Sequence, residues 1–180
     1  SGYNCIQESM SKFGRIIFYK KERFTSKPES YKEALFGESV IYGYLSITLF
    51  DTFTHKSIGL TTVHLPYHRK KNCSAESFLR AIPQQKNDIS LLCGDFNSTT
   101  IDLRETPFSS CSLSQLPPEK SHRLDLPRTA YQSVDYWAVS GATIKNMRLL
   151  PENREQLISH TYDTRESSYF SDHAIVLATF

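Results

Sequence analysis

Four cysteines lie at Cys5, Cys73, Cys93 and Cys111, and no two of them form a CxxC pair. That scatter argues against a zinc site and against a disulfide framework, and it suits thiols kept reduced. Long apolar runs are missing too: none approaches the ~20 residues of a membrane helix, and the first residues lack the apolar stretch of a signal peptide. The expectation is an intracellular protein of a reducing compartment with no transmembrane segment. Charge of one sign is not in excess. Twenty-one Lys and Arg against nineteen Asp and Glu leave +2, so any attraction to phosphate must be local rather than global. Repeats and low-complexity tracts are absent, which excludes solenoids and arrays.

What is present is a chain of 180 residues with 39% hydrophobic content, enough for one domain with a real core, spanning 1–180. Short β-rich segments recur between turn signals. Strands are expected over 14–20, 40–50, 57–65, 89–93, 132–139, 142–150 and 174–180, where β-branched and aromatic residues cluster. Gly43 inside the second of these reads as a bulge or a close backbone approach. Ser140-Gly141 reads as the turn of a hairpin between 132–139 and 142–150. The segment SAESFLRAI, 74–82, is the clearest helix: Ser74 can cap it, Phe78, Leu79 and Ile82 share a face, and Pro83 ends it. It lies between two strands in the manner of a βαβ unit. Residues 98–131 look like a long functional loop region. Many strands and few helices describe a sheet-dominated α/β domain with two packed sheets.

Four short stretches place polar side chains at strand ends. In LLCGDFNST, 91–99, a buried strand breaks at Gly94 and presents Asp95 and Asn97. Residues i and i+2 share a face, so a carboxylate and an amide emerge together, although Gly-Asp and Asn-Ser are also ordinary turn chemistry. In TTVHLP, 61–66, His64 closes a β-branched strand just before Pro66, a place equally suited to a plain rim histidine. In SVDYWAV, 133–139, Asp135 interrupts an apolar run and needs a partner, because an unpaired buried charge is costly. In SDHAIVLATF, Asp172 and His173 open the last strand; they read either as a cap and a surface imidazole or as the partner that Asp135 requires. Together the four stretches would gather carboxylates, imidazoles and an amide around one rim.

The order His-Leu, Gly-Asp-Phe-Asn (94–97), Val-Asp-Tyr (134–136) and Ser-Asp-His (171–173) resembles the endonuclease/exonuclease/phosphatase, or DNase I-like, superfamily over residues 14–180. That superfamily includes apurinic endonucleases, deadenylases, inositol-phosphate phosphatases and sphingomyelinases. The resemblance implies a four-layer α/β/β/α sandwich of two packed, mostly antiparallel sheets. It also implies a metal-dependent phosphoesterase that hydrolyses a phosphodiester or phosphomonoester of nucleic acid, nucleotide or phosphorylated lipid or inositol. By the same resemblance Asp95 would orient or deprotonate the attacking water, and Asn97 would hold that water or a phosphate oxygen. His173 would stabilise charge on the phosphoryl group with Asp135 fixing its tautomer, and His64 would contact the scissile phosphate. Asp172 would bind Mg²⁺, with Mn²⁺ as the alternative. Val63 stands where the family usually has Thr.

One departure bears on activity. The family carries an Asn and then a Glu of a Gln-Glu pair near its N-terminus. Gln7-Glu8 looks like that pair, yet only five residues separate Glu8 from Gly14, where the family has a helix and a strand. The other reading takes Gly2-Tyr3 as the opening of that later strand. The fold would then lack its N-terminal strand and helix together with the principal metal carboxylate, as in an N-terminally truncated domain. That reading keeps open a non-catalytic binding module on the same sandwich. Arg69-Lys70-Lys71 is the one dense basic run. Arg69 and Lys70 would meet a substrate phosphate beside the site, or else mark a solvated loop.

Overall fold

A computed structural model describes residues 2–9, 15–38, 41–66, 74–83, 85–114, 123–124, 131–132, 134–150 and 175–180. The chain opens with an antiparallel hairpin of β1 (Tyr3–Gln7) and β2 (Ile16–Lys20). Period-two alternation sets its faces: Ile17 and Tyr19 are buried while Ile16 and Phe18 are exposed. Next come β3 (Phe24–Ser26), a single 3-10 turn at Pro28–Ser30 and β4 (Lys32–Leu35). Both strands pair with β5 (Gly43–Asp51), which runs on through a short turn into β6 (Lys56–His64). The chain then passes through α1 (Ala75–Arg80) to β7 (Ile89–Asp95). The remaining strands are β8 (Ser112–Ser114), β9 (Arg123–Leu124), β10 (Tyr131–Gln132), β11 (Asp135–Ser140), β12 (Asn146–Leu150) and β13 (Ile175–Thr179).

Seven of these strands form one sheet in the order β3-β5-β6-β7-β11-β8, with β4 also on β5. Every pairing in it is antiparallel except β6 with β7, which is parallel. A parallel pair demands a crossover, and α1 lies on it as the sequence suggested. The α1 cap is as expected: the Ser74 hydroxyl accepts the Ser77 N–H at 3.3 Å. The helix ends at Arg80, two residues earlier than its apolar pattern runs, and Ile82 is buried in the turn that follows.

Both faces of the sheet are covered, by different means. On one face Tyr44, Val63, Leu65, Leu92, Phe96, Tyr136 and Ala138 pack with Ala75, Leu79 and Ile82 of the α1 region and with Leu103 and Phe108. On the other, Leu45, Ile47 and Leu49 of β5 pack with Ile17 and Tyr19 of the hairpin. β5 alternates between these cores, so Leu45, Ile47 and Tyr44 are all buried within one strand. A strand buried on both sides reads as a continuous apolar run rather than an alternating one.

The expected hairpin at Ser140-Gly141 is not formed. β11 pairs with β7 and β8, and β12 pairs with β13. Gly141 serves a close approach instead: its φ is +73°, and a Cβ there would stand 2.0 Å from the Asp88 carbonyl oxygen. Gly43 likewise answers to close approach, since a Cβ would meet the Ala34 carbonyl oxygen at 2.3 Å. Residues 98–131 carry β8, β9 and β10 and a series of turns, so the expected loop region is partly paired.

At the far end of the β5–β6 pair, Asp51 organises the connecting turn. Its buried carboxylate accepts from Arg23 Nε at 3.1 Å and Nη2 at 2.7 Å, from the Phe53 N–H at 3.0 Å and from the Thr54 hydroxyl at 2.9 Å. The Arg23 hydrogen bond, followed by those from Phe53 and Thr54, holds the carboxyl well below the usual aspartate value. A depressed folded-state pKa adds stability above the unfolded value of roughly 3.9 and loses it as pH falls toward the folded one. Urea midpoints measured at descending pH should therefore drop below about pH 4 in the wild-type chain, and Asp51→Asn should flatten that part of the profile.

Candidate active site at one end of the sheet

Strand direction decides where the polar residues fall. β6 and β7 are parallel, so their C-terminal residues, His64 and Asp95, reach the same end of the sheet and are register partners. β5 and β11 run opposite to their neighbours, so their first residues, Gly43 and Asp135, come to that end as well. Gly43 pairs with His64, and Asp135 with Asp95. Gly43, His64, Asp95 and Asp135 thus form one row across four strands. Register partners point to one side of a sheet. That side is opposite to Val63, Leu92, Phe96 and Tyr136, which face the α1 core.

Within the row, His64 Nε2 stands 3.5 Å from Asp95 Oδ2, and the two side chains keep 36% and 16% of their surface exposed. The other Asp95 oxygen, Oδ1, accepts the Asn97 N–H at 2.7 Å. This is an Asx turn, and it places Asn97 in the left-handed region at φ +48°. The Asn97 amide is buried and donates to the Leu65 carbonyl at 2.7 Å, and the Leu65 N–H donates to the Asp95 carbonyl at 2.8 Å. The turn after Asp95 is therefore sewn to the residue after His64. Gly94 makes that closeness attainable: its φ is +134°, and a Cβ there would stand 2.1 Å from the Val63 carbonyl oxygen.

Behind the row lies Cys93. Desolvation pushes its thiol up to about 12, the Asp135 charge adds to the rise, and a hydrogen bond with Thr62 opposes it. A thiol so raised is not a thiolate at neutral pH, which removes Cys93 as a nucleophile. Cys5, Cys93 and Cys111 are free; Cys73 lies outside the described residues.

The structure thus brings together four of the site residues expected from the sequence: His64, Asp95, Asn97 and Asp135. Asp172, His173, Arg69 and Lys70 lie outside the described residues. Glu8, the alternative metal carboxylate, is buried with its side chain paired to Arg15: Arg15 Nη2 donates to Oε1, and the Arg15 N–H donates to Oε2 at 3.1 Å. It closes the β1–β2 hairpin. Two neighbours of the row escaped the sequence reading. Tyr42 packs on the His64 ring and Arg15 holds the chain beside it; both contacts arise from tertiary placement, and no spacing signals them.

No protein-family model and no curated protein matches the sequence. Solved structures do match in fold. D. rerio TDP2, solved with a single strand DNA product, superposes with a TM-score of 0.66 at 14% identity over 98% of this chain and 76% of its own. A mannosyl-6-phosphatase of Bacteroides thetaiotaomicron gives 0.59 at 19% identity, over 99% and 78%. An endonuclease/exonuclease/phosphatase family protein of the same organism gives 0.59 at 18% identity, over 97% and 74%. This chain has the DNase I-like fold. In DNase I-like terms it is an α/β sandwich, as the motifs suggested.

Two outcomes test this geometry. Gly94→Ala should destabilise the chain by about 2–4 kcal/mol in urea unfolding, because both its φ and the Val63 carbonyl oppose a Cβ. In native protein at pH 8, iodoacetamide should label exposed Cys5 and spare Cys93, as mass spectrometry of the digest would report.

Proposed function

We propose that this chain is a divalent-metal-dependent phosphoesterase, hydrolysing a phosphodiester or phosphomonoester by in-line attack of water. The observation that carries the reading is the row of His64, Asp95 and Asp135 at one end of a DNase I-like sheet. The relatives in fold include a phosphatase and a protein bound to a DNA product, which supports phosphate-ester chemistry as the class.

Asp95 is the water-orienting group. One oxygen is fixed by the Asn97 N–H, so the carboxylate cannot rotate freely, and the other is aimed across the row toward His64. A carboxylate held in this way accepts a proton from water along one direction, which lowers the entropic barrier to attack. His64, one-third exposed beside it, donates to a non-bridging phosphate oxygen. Asn97 keeps the Asp95 turn and the end of β6 at a fixed separation through Leu65. Asp135 orients His173, which stabilises charge on the phosphoryl group as it develops. Arg69 and Lys70 bind the substrate phosphate.

The described residues do not make a metal cage by themselves: among them no three His, Cys, Asp or Glu side chains are grouped to hold an ion. Mg²⁺, with Mn²⁺ as substitute, is assigned to Asp172 on the resemblance of Ser171-Asp172-His173 to the superfamily motif, since a carboxylate supplies the hard oxygen donors it takes. Such an ion, when bound, polarises a phosphate oxygen and steadies the leaving oxyanion. The superfamily resemblance supports a substrate among nucleic acid, nucleotide and phosphorylated lipid or inositol, and the loops around the row choose between them.

The test is hydrolysis of bis(4-nitrophenyl) phosphate and of 4-nitrophenyl phosphate with Mg²⁺. Asp95→Ala and His173→Ala should each reduce kcat by roughly 10²–10⁴-fold, while circular dichroism remains that of the wild type. Turnover that survives both changes overturns the mechanism. An inactive wild type that takes up no Mg²⁺ in calorimetric titration favours a binding module on the same fold.

A further inference from the structure

The chain enters β5 through Ile41 and Tyr42, which precede the strand. Tyr42 stands against the His64 ring with centroids 4.9 Å apart and planes at 82°. That is the edge-to-face arrangement aromatic rings prefer. The tyrosine is itself held from several sides. Its carbonyl accepts the Phe36 N–H at 2.9 Å, and its ring packs on the α1 core. The carbonyl of the residue before it, Ile41, accepts from Arg15 Nη1 at 3.2 Å. Arg15 is locked in turn by buried Glu8. On the other side, Gly43 leaves room for that guanidinium: a Cβ there would come within 2.9 Å of Arg15 Nη2. The Ile41-Tyr42-Gly43 segment is therefore gripped by the β1–β2 hairpin.

His64 is the last residue of its strand and one-third exposed, and Asp95 Oδ2 stands 3.5 Å from its Nε2. Edge contact with an aromatic ring and a carboxylate near Nε2 both limit how the imidazole can turn. We infer that Tyr42 is a positioning residue for His64, and that the Glu8–Arg15–Ile41 contacts hold Tyr42 in place for that task. The inference rests on the proposed role of His64 at the substrate phosphate and deepens it: a histidine that meets phosphate must present one nitrogen in one direction, and Tyr42 sets that direction.

The experiment combines imidazole NMR with kinetics on the full chain. Wild-type protein should show a nuclear Overhauser effect between the Tyr42 and His64 ring protons. In Tyr42→Leu the His64 ring resonances should move, and kcat on bis(4-nitrophenyl) phosphate with Mg²⁺ should fall about tenfold with KM changed by less than about twofold. Tyr42→Phe, which keeps the ring and drops only the hydroxyl, should match wild type in both readouts. The inference is overturned by absence of the Overhauser effect in wild type, by unmoved His64 resonances in Tyr42→Leu, or by unchanged kcat in that variant beside an active wild type. The first arm needs no variant, so it decides the matter even where Tyr42→Leu does not fold. An inactive wild type that shows the Overhauser effect refutes the hydrolytic reading alone.

Discussion

The parallel pairing of β6 with β7 is the constraint on which the site depends. All other pairings in the large sheet are antiparallel, and an all-antiparallel arrangement would send consecutive strand ends to opposite edges. The crossover through α1 reverses that once. It brings the C-terminal ends of two adjacent strands to one edge, and His64 and Asp95 are those ends. The antiparallel neighbours on either side then contribute their first residues to the same edge, Gly43 from β5 and Asp135 from β11. Four segments far apart in the chain converge because of one change of direction. This is the general reason why ligands of α/β sheets gather at carboxyl ends of parallel strands.

Convergence alone does not give a precise site, and packing supplies the rest. The row lies at one end of the sheet, on the face opposite the α1 core. Leu65 and Phe96, each fully buried and each one residue beyond a site residue, pin both chain turns into the α1 core. Gly94 lets β7 approach β6 closely enough for Asn97 to reach the Leu65 carbonyl. On the hairpin side, the buried Glu8–Arg15 pair reaches the Ile41 carbonyl and so connects the first strands of the chain with the rim of the site. A buried ion pair contributes little net stability, because desolvation offsets most of its attraction. Its value here is geometric.

Much of this was legible in the sequence, and what was not has physical causes. The α1 helix showed itself through Ser74, its apolar face and Pro83, since capping and amphipathic period are local. Asp135 was legible because a carboxylate in an apolar strand is conspicuous wherever the strand lies; Asp95, at the open end of a strand, could be read equally as a turn residue. β1 was legible only through the Gly2-Tyr3 resemblance: four of its five residues are exposed, so no burial pattern marks it. Ser140-Gly141 misled because a turn signal reports local backbone conformation and says nothing about which strand is the partner. Gly141 is required by the Asp88 carbonyl, which is distant in sequence. Tyr42 and Arg15 were hidden for the same reason: their contacts cross from one sheet element to another and leave no spacing to read.

The fold by itself is compatible with either catalysis or binding, because a scaffold does not dictate chemistry. The arrangement of Asp95 bears on that choice. A carboxylate that only capped a turn would need no more than the Asn97 N–H, and its second oxygen would face solvent. Here the second oxygen faces an imidazole across the row, with both groups partly exposed on the same side and a second aspartate as the next register partner. On the proposed phosphoesterase reading, that pairing is the edge of the site that meets water and phosphate; on a binding reading it is a polar rim on the same fold.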